Sequence, residues 1–221
     1  FETPAREVLA VRHSIQDRMV LSREAGSLKI ATFNINNINK RLHNLTAWLA
    51  RAQPDVVCLQ ELKVEQRAFA ASALDDLGYR GVWLGERSWN GVAILARESE
   101  PLLTRSSLPG NSNDRQARYI EAAVNGVLIA SIYLPNGNPQ PGPKFDYKMA
   151  WFECLIDHGA ELIKAGVPVV LAGDYNVVPT GQDRLRGRRR ADTGRAGPAH
   201  RAGGPGLRRP PAGRPRGAPR G

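Results

Sequence analysis

Val167-Pro168-Val169-Val170-Leu171-Ala172-Gly173-Asp174-Tyr175-Asn176 begins as a short apolar run, the mark of a buried strand, and breaks at Gly173. It then delivers Asp174 and Asn176, a carboxylate and an amide two residues apart at the mouth of that strand. A carboxylate can take a proton or hold a metal, and an amide can donate a hydrogen bond to charge developing on an oxygen. Asp and Asn are also ordinary turn residues after Gly, so this stretch decides the matter only if other strands end the same way.

They do. Leu28 to Asn36 alternates apolar and polar residues as a strand and ends in Asn34, Asn36 and Asn37. A helix is expected from about Lys40 to Arg51, with Leu42, Leu45 and Leu49 on one face and Pro54 as its stop. Val56 to Gln60 is a second buried strand, terminating in Glu61. Phe69 to Leu77 predicts a helix closed by Gly78. Trp83-Leu84 and Val92 to Leu95 predict strands around the turn signal Asn90-Gly91, and Pro101 to Gln116 predicts a loop. Tyr119 to Val124, Asn125-Gly126 and Val127 to Tyr133 form a hairpin by turn chemistry. A helix from about Asp146 to Ala165 should bury Trp151, Phe152, Leu155, Ile156, Leu162 and Ile163. Alternating strands and helices imply α/β layering, and in such sheets ligands gather at the carboxyl ends of strands. Asn34, Glu61, Tyr133 and Asp174 all stand there.

The +10 net charge does not describe the folded part. Residues 181–221 hold 12 Arg against Asp183 and Asp192, so the 19 basic and 19 acidic residues of 1–180 balance. That segment is nearly all Arg, Gly, Pro and Ala, a composition that builds no core and predicts disorder. Its G/C-rich codons suggest an out-of-frame reading; the rival is an Arg/Gly-rich nucleic-acid-binding arm. Residues 1–27 are expected to be an N-terminal extension and 28–180 the domain. Cys58 and Cys154 sit among apolar neighbours as small core residues. No apolar run reaches bilayer length and no signal-peptide pattern opens the chain, which leads to the expectation of a soluble, cytoplasmic monomer without membrane contact.

Three segments together resemble the exodeoxyribonuclease III family of apurinic/apyrimidinic endonucleases, within the endonuclease/exonuclease/phosphatase superfamily. They are Leu28 to Asn36, Gln53 to Lys63 with its Gln-Glu-Leu-Lys, and Ala172 to Thr180 with its Gly-Asp-x-Asn. Gln116 to Ile120 and Ile132 to Gly137 are similar to the family as well. The resemblance implies a four-layer α/β sandwich of two packed mixed sheets, with the C-terminal half incomplete. It implies Mg²⁺-dependent phosphodiester hydrolysis in double-stranded DNA at abasic sites, as in base excision repair, with Mn²⁺ as a substitute ion. By position, Asn34, Glu61, Asp174 and Asn176 would form the metal set, with Glu61 the principal ligand. Tyr133, Asp174 and Asn176 would be catalytic: Asp174 would orient or deprotonate the attacking water, and Tyr133 and Asn176 would stabilise the pentacovalent phosphate. Arg118 and Asn136 would touch the phosphate backbone. These residue types suit a reaction in which a hard cation and fixed donors offset charge on phosphate oxygens.

The family also closes with a Ser-Asp-His, carries an earlier Asp in its second half, and has aromatic residues that receive the abasic sugar. None of these is found in this chain, so weak or absent turnover, exposed strand edges and poor solubility are expected. Asp157-His158 lies on the helix of Trp151 and Leu155 and is expected to be a solvated helix pair without a catalytic role. Two other readings stand beside this one. One is a phosphodiesterase of the same superfamily acting on a small phosphate ester; the other is a non-catalytic nucleic-acid binder working through the Arg-rich tail.

Overall fold

The computed structural model describes residues 27–178; the expectations for 1–26 and for 179–221, the Arg-rich segment included, lie outside the described residues. Eight strands form two four-stranded mixed sheets. The first has the order β1 (Ile30–Asn34), β2 (Val56–Gln60), β4 (Val92–Arg97), β3 (Tyr79–Leu84). The second runs β5 (Leu102–Arg105), β6 (Tyr119–Val124), β7 (Val127–Tyr133), β8 (Val169–Asp174). Each sheet contains one parallel pair, β1 with β2 and β7 with β8, and is otherwise antiparallel.

Parallel neighbours need a crossover, and in both sheets a helix supplies it. Helix α1 (Ile38–Ala52) joins β1 to β2. Asn37 caps its start by accepting from the Lys40 amide, and Gln53 ends it in the left-handed conformation just before Pro54. The longer helix Pro143–Lys164 (α3, after the single-turn α2 at Ala71–Asp75) joins β7 to β8, with its proline in the first turn. Val56, Cys58, Ile94, Ile120, Ala122 and Ile129 fill the space between the sheets. Leu45 and Leu49 of α1 pack on the outer face of the first sheet with Leu59 and Leu95. Trp151 and Leu155 of α3 cover Ala130 and Ile132 on the second. The result is the four-layer α/β sandwich that the sequence led us to expect. Burial pushes the Cys58 thiol up to about 12, as befits an unreactive core residue.

Several local expectations are corrected. The segment from Phe69 to Leu77 is not one helix. A 3₁₀ turn (Gln66–Ala68) precedes α2, because Phe69 is extended and stacks on Trp83 at 4.3 Å. The segment expected to be loop contains β5, an edge strand with a register shift whose Leu102 and Leu103 face solvent, so no alternation betrays it. Strand β3 begins at Tyr79, and seven residues rather than a two-residue turn separate it from β4. On α3, Trp151, Leu155 and Leu162 are buried as expected, but Ile156 and Ile163 are exposed. Their place on the buried stripe is taken by His158, which is buried. Among the described residues no helix is long and apolar enough to cross a membrane.

Candidate active site

The two crossover units point their carboxyl ends the same way. Register sets Asn34 opposite Gln60 in the first sheet and Tyr133 opposite Asp174 in the second. Gly173 makes the second pairing feasible, since a Cβ there would strike the carbonyl of Ile132. The next residues leave regular strand geometry: Asn36, Asn37, Glu61, Lys63 and Asn176 all have positive φ, between 47° and 81°. Non-glycine residues held this way carry local strain, and here they cluster just beyond the ends of β1, β2 and β8.

The side chains meet there. Asn34 donates through Nδ2 to Glu61 Oε1 at 2.8 Å and to Asp174 Oδ2 at 3.1 Å. Carboxylates from two different sheets are thereby joined by one amide. Tyr133 donates its hydroxyl to the same Glu61 Oε1 at 2.7 Å, and Lys63 Nζ lies 2.7 Å from Oε2. Asp174 also accepts the Asn176 amide at 2.9 Å. Burial raises the Glu61 pKa, but the bonds from Lys63, Asn34 and Tyr133 together outweigh it, and the carboxyl sits below its ordinary range. Tyr133 is pushed up, first by burial and then by Glu61, so its hydroxyl remains a donor at neutral pH.

Each residue singled out from the sequence lies in or beside this cluster. Asn176 Nδ2 donates to the Leu134 carbonyl at 2.8 Å, and its Oδ1 accepts from Asn136 at 3.4 Å. Arg118 lies 4.8 Å above the Tyr133 ring, tied to the Gln116 side chain at 2.7 Å and the Tyr133 carbonyl at 3.3 Å. Asn34 differs from the expected oxygen ligand. Its nitrogen faces the acids, while its Oδ1 accepts the Asn36 amide at 3.1 Å.

Three supporting residues escaped the sequence reading. Gln60, fully buried below Glu61, donates to Thr32 Oγ1 and to Ser131 Oγ at 3.2 Å, stitching the two sheets together beneath the site. Lys63, although inside a quoted motif, was given no role; its ammonium bridges Glu61 and Asn36 Oδ1. Lys148 of α3 donates to the Asn176 carbonyl at 2.7 Å and lies 3.4 Å from that of Asn136, its stem crossing Gly137. Desolvation lowers its pKa against the pull of Asp174.

The donor set is hard: the carboxylates of Glu61 and Asp174, bridged by the Asn34 amide nitrogen. Among the described residues no three His, Cys, Asp or Glu side chains gather. Two oxygen donors with the remaining shell left to water suit a hard divalent cation.

Known proteins share this fold. Residues 31–220 match the endonuclease/exonuclease/phosphatase family profile. Exodeoxyribonuclease III of Haemophilus influenzae is 32% identical over 161 residues, covering 71% of this chain and 60% of that protein. The DNA repair nuclease APEX1 of Danio rerio is 29% identical over 160 residues, 69% of this chain and 50% of its own length. Among solved structures, the 3′–5′ exonuclease NExo of Neisseria meningitidis superposes with a TM-score of 0.65 at 36% identity, over 74% of this chain and 70% of that one. An AP endonuclease from Archaeoglobus fulgidus gives 0.66 at 35% identity, over 70% and 60%. This chain thus spans between half and three fifths of these two curated relatives. It belongs to the endonuclease/exonuclease/phosphatase family, on the branch of exodeoxyribonuclease III and the AP endonucleases.

Proposed function

We propose that this site hydrolyses a phosphodiester of double-stranded DNA with the help of Mg²⁺, in the manner of an exodeoxyribonuclease III-type repair nuclease acting at abasic sites. The observation that carries the reading is the junction of Glu61 and Asp174, 113 positions apart in sequence, through the single amide of Asn34. A bound Mg²⁺ would supply charge to offset that developing on the phosphate, with Glu61 and Asp174 as its carboxylate holders and Mn²⁺ as a substitute. Asp174 takes a proton from the attacking water; its bonds from Asn34 and the Asn176 amide aim it. Tyr133 keeps its proton, now given to Glu61, and would turn it to a phosphate oxygen once a cation engaged that carboxylate, while Asn176 has one side-chain N–H left for the same purpose. Arg118 and Asn136 meet the flanking backbone phosphates.

The test is incision of an end-labelled duplex carrying one tetrahydrofuran residue. Cleavage that requires Mg²⁺ and disappears in Asp174→Asn and Glu61→Gln supports the assignment. Cleavage unaffected by Asp174→Asn, or a preference for small phosphate esters over the duplex, overturns it.

A further inference from the structure

The segment between β5 and β6 ends in Asp114, Arg115, Gln116, Ala117 and Arg118, which puts an acid four residues before the arginine that lies above the Tyr133 ring. The two do not pair. Among the described residues Arg118 makes no ion pair. Its guanidinium is held by neutral acceptors instead, Nε by the Gln116 side chain at 2.7 Å and Nη1 by the Tyr133 carbonyl at 3.3 Å. The Asp114 carboxylate is taken by Tyr147 of α3, whose hydroxyl donates to Oδ2 at 2.7 Å. We propose that Tyr147 is a positioning residue of the site: by occupying the Asp114 carboxylate it keeps that acid off Arg118, so that the guanidinium stays free for a backbone phosphate of DNA. This rests on the DNA reading of the site and adds to it the residue that preserves the charge of one of its contacts.

Asp114 is otherwise well placed to neutralise the arginine. Its Oδ1 accepts the Gln116 amide at 3.0 Å, and it is the Gln116 side chain that holds Arg118. The loop carrying Asp114 is seated on α3. Leu108 packs at the rim of the cluster around Trp151 and Leu155. Gly110, with φ 101°, lies so close to Cys154 that a Cβ there would stand 2.7 Å from Sγ. These seats keep Asp114 beside Arg118 whether or not Tyr147 holds it.

The Tyr147 hydroxyl stands within the influence of both charges. Burial and the bond to Asp114 keep its proton on, while the nearby Arg118 pulls the other way. A neutral hydroxyl satisfies a carboxylate without changing the net charge around it. Its ring is half-buried on the same cluster as Leu108, which fixes where the hydroxyl points. An acid left without its donor in a half-buried position takes the nearest cation, and a paired guanidinium has less attraction left for phosphate.

The experiment uses the whole chain and a fluorescein-labelled duplex with one tetrahydrofuran residue, in Ca²⁺ to prevent turnover, with anisotropy read across a salt series. Arg118→Ala should weaken binding by about five- to tenfold at physiological ionic strength and reduce the salt slope by about one. Tyr147→Phe, which removes the hydroxyl and keeps the ring, should do the same. Combining Tyr147→Phe with Asp114→Asn should restore the slope and bring affinity back to within about twofold of the unaltered chain, because the competing charge is gone. Packing damage from the lost hydroxyl is common to both Tyr147 variants, so the second substitution separates it from the charge effect. Tyr147→Phe binding within about twofold of the unaltered chain, with its slope retained, overturns the inference alone. So does a loss that Asp114→Asn fails to restore, which would make Tyr147 a packing residue only. Binding indifferent to Arg118→Ala overturns it as well, since there would be no contact to protect. Failure of the unaltered chain to bind the duplex overturns the DNA reading, and the inference with it.

Discussion

At the scale of the residue, Glu61 is a carboxylate shared between three donors, one of them a cation. Lys63 satisfies Oε2 at 2.7 Å and helps hold the pKa of the group below its ordinary 4.5. Because the folded value is depressed, the anionic form persists above 4.5 and is lost only as pH falls through the folded value; divalent-ion binding at Glu61 should follow that lower midpoint. Lys63→Met removes one of the lowering bonds and also an ammonium that competes with a divalent ion. Calorimetric titration with Mn²⁺ at neutral pH should then show affinity raised by about three- to tenfold, and the acid midpoint of binding should move upward. Unchanged affinity would mean that Lys63 and the ion do not share Oε2. The acid and amide residues were legible because each ends an apolar run, where a polar side chain is conspicuous. Gln60 and Ser131 were not, because a buried polar residue inside a strand announces itself only through a partner on another strand, here 71 positions away.

At the scale of the element, α3 is the instructive case. Its existence and approximate ends followed from the apolar spacing, but the stripe that faces the sheet is Trp151, Leu155, His158 and Leu162. The spacing of three and four from its apolar neighbours was the available signal for His158, masked by the charge of Asp157 beside it. His158 Nε2 lies 2.9 Å from Glu121, which also accepts the hydroxyls of Tyr119 at 2.7 Å and Thr104 at 2.8 Å. Burial pushes the Glu121 pKa up, but the bonds from His158, Tyr119 and Thr104 more than compensate, so it stays below its ordinary 4.5. The stability it supplies is present above that value and lost as pH falls through the folded one. Glu121→Ala leaves the buried Tyr119 and His158 and the half-buried Thr104 without their acceptor and should cost about 3 kcal/mol or more in urea unfolding, with the acid limb of the stability curve flattened. A loss below about 0.5 kcal/mol would show that water or a neighbouring group replaces the carboxylate. The same helix reaches the site through Lys148. Gly137 has φ 78°, and a Cβ there would meet the Lys148 stem at 2.6 Å. Gly137→Ala is thus expected to destabilise by about 1–2 kcal/mol and to weaken duplex binding by displacing that stem. Thermal melting and anisotropy check the two parts separately.

At the scale of the whole molecule, α/β layering was legible in the alternation of strands with helices, and the four-layer sandwich in the resemblance carried by the strand-end motifs. Strand β5 was not, since an edge strand with outward leucines carries no alternation. Strands β1 and β8 are also edges of their sheets among the described residues, and both are half-exposed along their length, which is the condition behind the expected poor solubility. Charge is distributed unevenly along the chain: 1–180 is formally neutral, and 181–221 holds the entire excess. Neutralising phosphates releases counterions, so affinity falls with salt in proportion to the number of cationic contacts. If the site carries the specificity and the Arg-rich segment most of the attraction, the two should separate. The full chain should bind intact and abasic duplexes with a steep salt dependence. A chain ending at residue 180 should lose several units of that slope and most affinity for intact duplex, while keeping its preference for the abasic one. Anisotropy across a salt series on both duplexes makes the comparison. A slope unchanged by the deletion would transfer the attraction to Lys63, Arg115 and Arg118 around the site. A preference that vanishes with the deletion would leave a nucleic-acid binder whose affinity lies wholly in its arginines.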